Sequence, residues 1–205
     1  MKNSEIVAIQ KRLLPDLPGF AQKGQMLFVS PVGHTLRGIF FDRATNPRGF
    51  YVQILIQLLC VPEEHIIFNV GWRLRHGRTD LWNADDPQLI PELGLALSRE
   101  ALPFLSSIQS PRDTATAAVS LRKSGDRIVQ QAIAYSFARA GDVPEAVKAL
   151  GRLREQLEET QQYPASRADL ERAEALELEL VSDPSEAQRR LESWEAETAK
   201  KLAVA

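Results

Sequence analysis

Residues 66–75 read Ile66-Ile67-Phe68-Asn69-Val70-Gly71-Trp72-Arg73-Leu74-Arg75. In an extended chain, successive side chains point to opposite faces. Ile66, Phe68, Val70, Trp72 and Leu74 then form one apolar row, and Ile67, Asn69, Gly71, Arg73 and Arg75 form the other. A strand with one apolar and one polar side belongs to a sheet covered on one face, which is the antiparallel habit.

The preceding segment, Phe50–Val61, repeats the scheme. Phe50, Val52, Ile54, Ile56 and Leu58 share one side; Tyr51, Gln53, Leu55, Gln57 and Leu59 share the other. Two earlier strands are expected at Gln25–Ser30 and Leu36–Arg43. Turn residues separate the four: Pro31, Gly33 and His34, then Asn46-Pro47-Arg48-Gly49, then Pro62-Glu63-Glu64-His65. Such short connections favour an antiparallel four-stranded meander. Upstream, Ile6, Ile9 and Leu13 fall at helical spacing within 4–14, with Asn3 or Ser4 as cap and Pro15, Pro18 and Gly19 beyond the end. This helix and a later one should cover the apolar face.

Downstream the period changes to helical. Asp85-Asp86-Pro87 reads as a helix start, with Leu89, Leu93, Ala96 and Leu97 as its apolar face and Pro103 as a kink or end. Ser110-Pro111-Arg112-Asp113 opens another helix, closed by Gly125. Ile128, Ala132, Tyr135 and Ala138 mark a helix over 127–140, and Gly141 suits a left-handed cap. Asp142 caps the next helix, whose stripe is Val147, Leu150, Leu153 and Leu157. Pro164 breaks the chain, and Ser166 with Asp169 reads as a capping box before Leu170, Ala173, Leu176 and Leu180. Asp183-Pro184 starts the last helix, with Ala187, Leu191, Trp194 and Leu202 on one side. The fold class is therefore α+β: a sheet domain at 1–108, then an all-helical extension of antiparallel pairs at 109–205.

The pairs fall at roughly 87–124, 127–162 and 166–203, a repeat length found among helical-hairpin arrays. The stretch Ala134-Tyr135 … Ala138-Arg139-Ala140-Gly141-Asp142 … Glu145-Ala146 … Ala149-Leu150, within 127–157, resembles a tetratricopeptide hairpin. It lacks that family's consensus tryptophan and terminal proline. The resemblance implies peptide or protein binding. The N-terminal half, about residues 5–107, resembles bacterial α+β domains of unknown function through Gly19-Phe20, Lys23-Gly24 and Ala101-Leu102-Pro103-Phe104-Leu105. That resemblance implies a bacterial source and transfers no site.

Composition supports a core and limits the chemistry. The chain has 205 residues, 44% hydrophobic and 25% charged, which suffices for folding without a metal or disulfide. Its single cysteine, Cys60, lies in an apolar run and reads as a buried hydrophobe. With no signal-peptide core and no apolar stretch of membrane-spanning length, the expected location is the cytoplasm. Residues 1–80 carry 10 Lys/Arg against 6 Asp/Glu, a net of +4, and 81–205 carry 15 against 21, a net of −6.

His34, His65 and His76 have no sequence partner at metal-ligand spacing, so neither a metal site nor a cofactor is expected. There is no phosphate loop, and Ser106-Ser107 lacks a base. The 13 acidic residues between Glu155 and Glu197 read as a solvated helical face.

The polar row of the sheet is the expected recognition surface: Tyr51, Gln53, Gln57, Asn69, Arg73 and Arg75. Its amides and guanidinium forks suit a peptide backbone, a carboxylate or a phosphate. Nucleic acid is not favoured, because Tyr51 is the lone aromatic on that side. Leu191, Trp194 and Leu202 are the expected self-association or partner residues. The expectation is a non-catalytic interaction protein (adaptor, immunity protein or chaperone-like) binding another protein, a peptide or a second copy. An enzyme or small-ligand domain using the sheet face is the alternative.

Overall fold

A computed structural model describes residues 1–120 and 126–204. The expected helix end at Gly125 lies outside the described residues. The chain is α+β: an N-terminal helix, an open antiparallel sheet, then packed helices. It divides into two compact units, one of residues 1–56 with 71–107, the other of residues 57–70 with 108–205.

In the first unit, α1 (Asn3–Leu13) buries Ile6, Ile9 and Leu13. Neither Asn3 nor Ser4 is its cap. Lys2 is, and Glu5 reaches back to accept the Lys2 backbone N–H at 2.5 Å. The sheet has six strands rather than four: β1 (Phe20–Lys23), β2 (Met26–Val29), β3 (Thr35–Arg43), β4 (Gly49–Leu58), β5 (Val70–Arg73) and β6 (Leu81–Asn83). Strands β1 to β5 follow in order, and β6 pairs antiparallel with the start of β4, Phe50 opposite Trp82. The sequence hides β1 because Phe-Ala-Gln-Lys lacks β-branched residues. The turn into β2 rests on Gly24, whose φ of +53° suits glycine.

One sheet face is covered as expected. Leu27, Ile39, Phe41, Phe50, Val52, Ile54, Leu74 and Trp82 pack with the apolar side of α1 and with Leu89, Leu93, Leu97, Ala101 and Leu105. Those last residues come from α2 (Leu89–Ala96), a π-helical turn (Leu97–Ala101) and α3 (Leu102–Ser107). The helix begins after Pro87, because Asp86 holds a turn by accepting the Gln88 N–H at 2.8 Å. Pro103 does not end it. Proline has no N–H and crowds the carbonyl four residues back. Just before it the ladder widens, Leu102 N–H donating to Leu97 O, and the helix runs on to Ser107.

The deciding stretch is a strand only from Val70. Val70 and Leu74 are buried, Trp72 is half-buried, and Gly71, Arg73 and Arg75 are exposed, so the alternation holds there. Further upstream it fails: Phe68 is exposed and Asn69 buried. Gly71 has a specific steric cause. A Cβ at this position would lie 2.0 Å from the Ile54 carbonyl oxygen, so β5 approaches β4 more closely than any side chain permits.

The second unit contains α4 (Pro111–Ser120), α5 (Arg127–Arg139), α6 (Val143–Glu158), α7 (Pro164–Ser182) and α8 (Pro184–Lys201). Consecutive helices are neighbours, and α8 also returns to α5. That makes α5 central, and Gln130 through Ser136 are all buried. The α5–α6 turn closes with Gly141 at φ +73° and the Asp142 N–H donating to Phe137 O at 3.0 Å. Ala134, Ala138, Ala146 and Ala149 are buried in this hairpin.

Two caps differ from expectation. Asp142 makes no cap bond and pairs with Arg112 at 2.6 Å instead. Helix α7 begins at Pro164, so Ser166 lies inside it and Asp169 pairs with Arg127 and Arg172. Asp183 caps α8 as expected, accepting the Ser185 and Glu186 N–H groups.

The Gly71→Ala variant should lose about 2–3 kcal/mol, the cost of forcing an added methyl into a filled contact. Urea unfolding of this variant beside Gly94→Ala, a position where an added Cβ meets nothing, provides the check.

Candidate functional site

The expected recognition row does not form one surface. Tyr51 and Gln53 are half-buried on β4, and Arg73 is exposed on β5. The Arg73 guanidinium stacks 3.9 Å from the Tyr51 ring centroid and pairs with Asp80 at 3.1 Å. Gln53 donates to Asp42 at 3.4 Å. These three remain together as a polar strip of the first unit.

Gln57 and Asn69 do something else. Gln57 is 0% exposed; its amide donates to His65 O at 3.0 Å and accepts the Ile67 N–H at 3.1 Å. Asn69 is 3% exposed and accepts the Leu58 N–H at 2.8 Å. Both satisfy backbone groups where the chain leaves regular pairing, a requirement for any buried amide. Alternation alone placed them outside, because it assumes a strand through 66–69 and one open face at the end of β4, where both faces are buried.

Arg75 belongs to a different feature. After β5 the chain turns through Gly77 (φ +61°), with His76 and Thr79 bridged. A concave pocket of about 300 Å³ opens here, lined by Arg75, His76, Trp82, Glu92, Arg99 and Glu100 among others. The His76 ring stacks on Trp82 at 4.8 Å between centroids and 17° between planes. Trp82 is fixed in turn, donating its indole N–H to Leu74 O at 3.2 Å. His76 Nε2 lies 2.6 Å from Glu92 Oε2. Donor atoms of His76, Asp86 and Glu92 all lie within 4.8 Å of one another, so these three could hold a metal. Sequence reasoning missed this set, because its members come from a hairpin, a turn and a helix. Of the three, Asp86 reads in the sequence only as part of a helix start, and His76 as a histidine without a ligand partner. A second groove of about 530 Å³, lined mainly by Leu13, Leu17, Ile90, Leu95, Leu97 and Leu102, gathers no comparable polar set.

The expected association residues of α8 also turn inward. Leu191 and Leu202 are buried, and Trp194 is half-buried, 6.4 Å from the Tyr135 ring and beneath Arg190. The stripe is thus largely filled within its own unit. Arg139 fixes it, donating to Glu195 at 2.9 and 3.3 Å and to Gln188 at 3.2 Å. Burial raises the Glu195 carboxyl above the usual range, against the lowering effect of the Arg139 guanidinium. Cys60 is buried too, and desolvation pushes its thiol well upward, so it is no ready nucleophile. Residues exposed instead are Leu178 and Val181, one turn apart on α7.

A carboxyl with a raised folded-state pKa gives stability that is present at low pH and lost as pH rises through that pKa. Removing its cation raises the pKa further. Arg139→Ala should therefore cost about 2–3 kcal/mol at pH 8, where Glu195 is left as an unpaired carboxylate, and clearly less in acid solution, where its carboxyl is protonated. Urea unfolding under the two conditions measures this; an equal loss in both would contradict it.

Comparison with protein-family models, curated proteins and solved structures found no match to this chain.

Proposed function

We propose that this chain is a non-catalytic protein–protein interaction protein, of adaptor, immunity or chaperone-like type, and that α7 carries the contact. One observation supports this reading most. Leu178 is 70% and Val181 67% exposed, although the opposite side of α7 buries Leu170, Ala173, Leu176 and Leu180. Single exposed apolar residues are ordinary, but a pair on adjacent turns of a stable helix forms a compact apolar knob. Glu171 and Glu174 are exposed on the same helix within two turns of Leu178. An apolar centre with a charged rim is the usual anatomy of a protein interface. The matching partner offers an apolar hollow bordered by Lys or Arg. A bacterial setting, and peptide binding of tetratricopeptide type, enter this reading through the resemblances of the sequence and remain part of the proposal.

Affinity capture with the full chain and with its Leu178→Asp/Val181→Asp variant is the test. The unchanged chain should retain one stoichiometric protein and the variant should lose it. Unfolding free energies of the two should agree to about 0.5 kcal/mol, as expected for exposed sites. Equal capture by both, or retention of a small molecule in place of a protein, would overturn the proposal.

A further inference from the structure

We infer that His76, Asp86 and Glu92 form a binding site for a divalent transition-metal cation of the zinc class. The inference is independent of the interaction reading above.

Three elements deliver the donors: the hairpin after β5, the turn before α2, and the first turn of α2 itself. Their atoms are mutually within 4.8 Å, with the His76–Glu92 pair at 2.6 Å. Ligands at about 2.1 Å in a tetrahedral shell are separated by about 3.4 Å, so small rotamer changes close the set around an ion. The three are not equally free to move. His76 is held by its stack on Trp82, which leaves the Nε2 edge directed at Glu92. In Asp86 one oxygen accepts the Gln88 N–H, a bond that orients the carboxylate, and the other oxygen stays available. An oriented ligand loses less freedom on binding, and the second bond raises its worth as a donor. The His76–Glu92 hydrogen bond accounts for two members alone; the convergence of Asp86 is what that bond does not require.

The donor set also selects the cation. One imidazole nitrogen and two carboxylates suit zinc and its neighbours, whereas calcium takes six to eight oxygens and magnesium keeps most of its water. Arg75 and Arg99 line the adjoining pocket and offset the charge of Glu92 and Glu100. Affinity must then come from donor chemistry more than from a negative field, which again disfavours the hard cations. Three protein ligands leave a coordination position toward the 300 Å³ pocket, open to water or an anionic group.

Titration of the metal-free full chain with Co2+, followed by its visible absorption and then displaced by Zn2+, tests the site. One equivalent should bind with a tetrahedral or five-coordinate spectrum, and Zn2+ should displace it. His76→Ala and, separately, Glu92→Gln should each weaken binding about a hundredfold or more. Glu92→Gln is nearly isosteric on an exposed helical position, so it keeps the test valid if His76→Ala disturbs the Trp82 stack. Asp86→Asn should weaken binding at least tenfold. Binding unchanged in both His76→Ala and Glu92→Gln would place the cation elsewhere, and absence of stoichiometric binding would remove the site; either result overturns the inference.

Discussion

The close approach of Gly71 to Ile54 governs the geometry of the first unit. The backbone there leaves no room for a side chain. Because β5 sits so near β4, the Leu74 N–H reaches Val52 O at 2.7 Å, and the Leu74 carbonyl receives the Trp82 indole at 3.2 Å. Trp82 then forms the floor on which His76 lies, and His76 turns its edge to Glu92. A missing methyl group on one strand thus sets the position of an imidazole five residues later. Upstream of Gly71, Asn69 and Gln57 supply the hydrogen bonds that the sheet ladder gives up. The chain can leave the sheet after Leu58 and return at Val70 without stranding these buried backbone groups.

Much of the architecture was legible in the sequence because it rests on periodicity. Helix α1, the three central strands of the meander and the helices from α5 to α8 follow apolar spacing, and their faces are buried largely as the spacing requires. The Gly141 turn and the Asp183 cap follow from backbone chemistry that local sequence fixes. Two short strands were not legible: β1 has no β-branched residue to mark it, and β6 has three residues, too few for a period to show. The π turn was hidden for another reason. Pro103 signals that the helix ladder must change, but the sequence does not say whether the helix stops or widens.

The site was less legible, for a physical reason. Alternation assigns a side, and a side is a recognition surface only if the strand continues and the face stays open. At Asn69 the strand has not begun, and at Gln57 both faces are buried. A polar residue at such a place serves the backbone before it serves a ligand. Leu191 and Leu202 err in the opposite sense: a helix with an apolar stripe needs a neighbour, and α5 and α7 of the same unit supply it, so both residues are buried. His76, Asp86 and Glu92 converge only through a hairpin, a turn and a helix, a juxtaposition with no one-dimensional signature.

The distinction between amides that recognise and amides that hold the backbone is the centre of this account. Hydrogen exchange of the assigned Leu58 amide measures it most directly, in the full chain and in an Asn69→Ala variant. The account expects slow exchange at Leu58 in the unchanged chain and a large loss of protection at that amide in the variant, with the amides of α1 unaffected. Rapid exchange at Leu58 in the unchanged chain, or equal protection in both proteins, would contradict it.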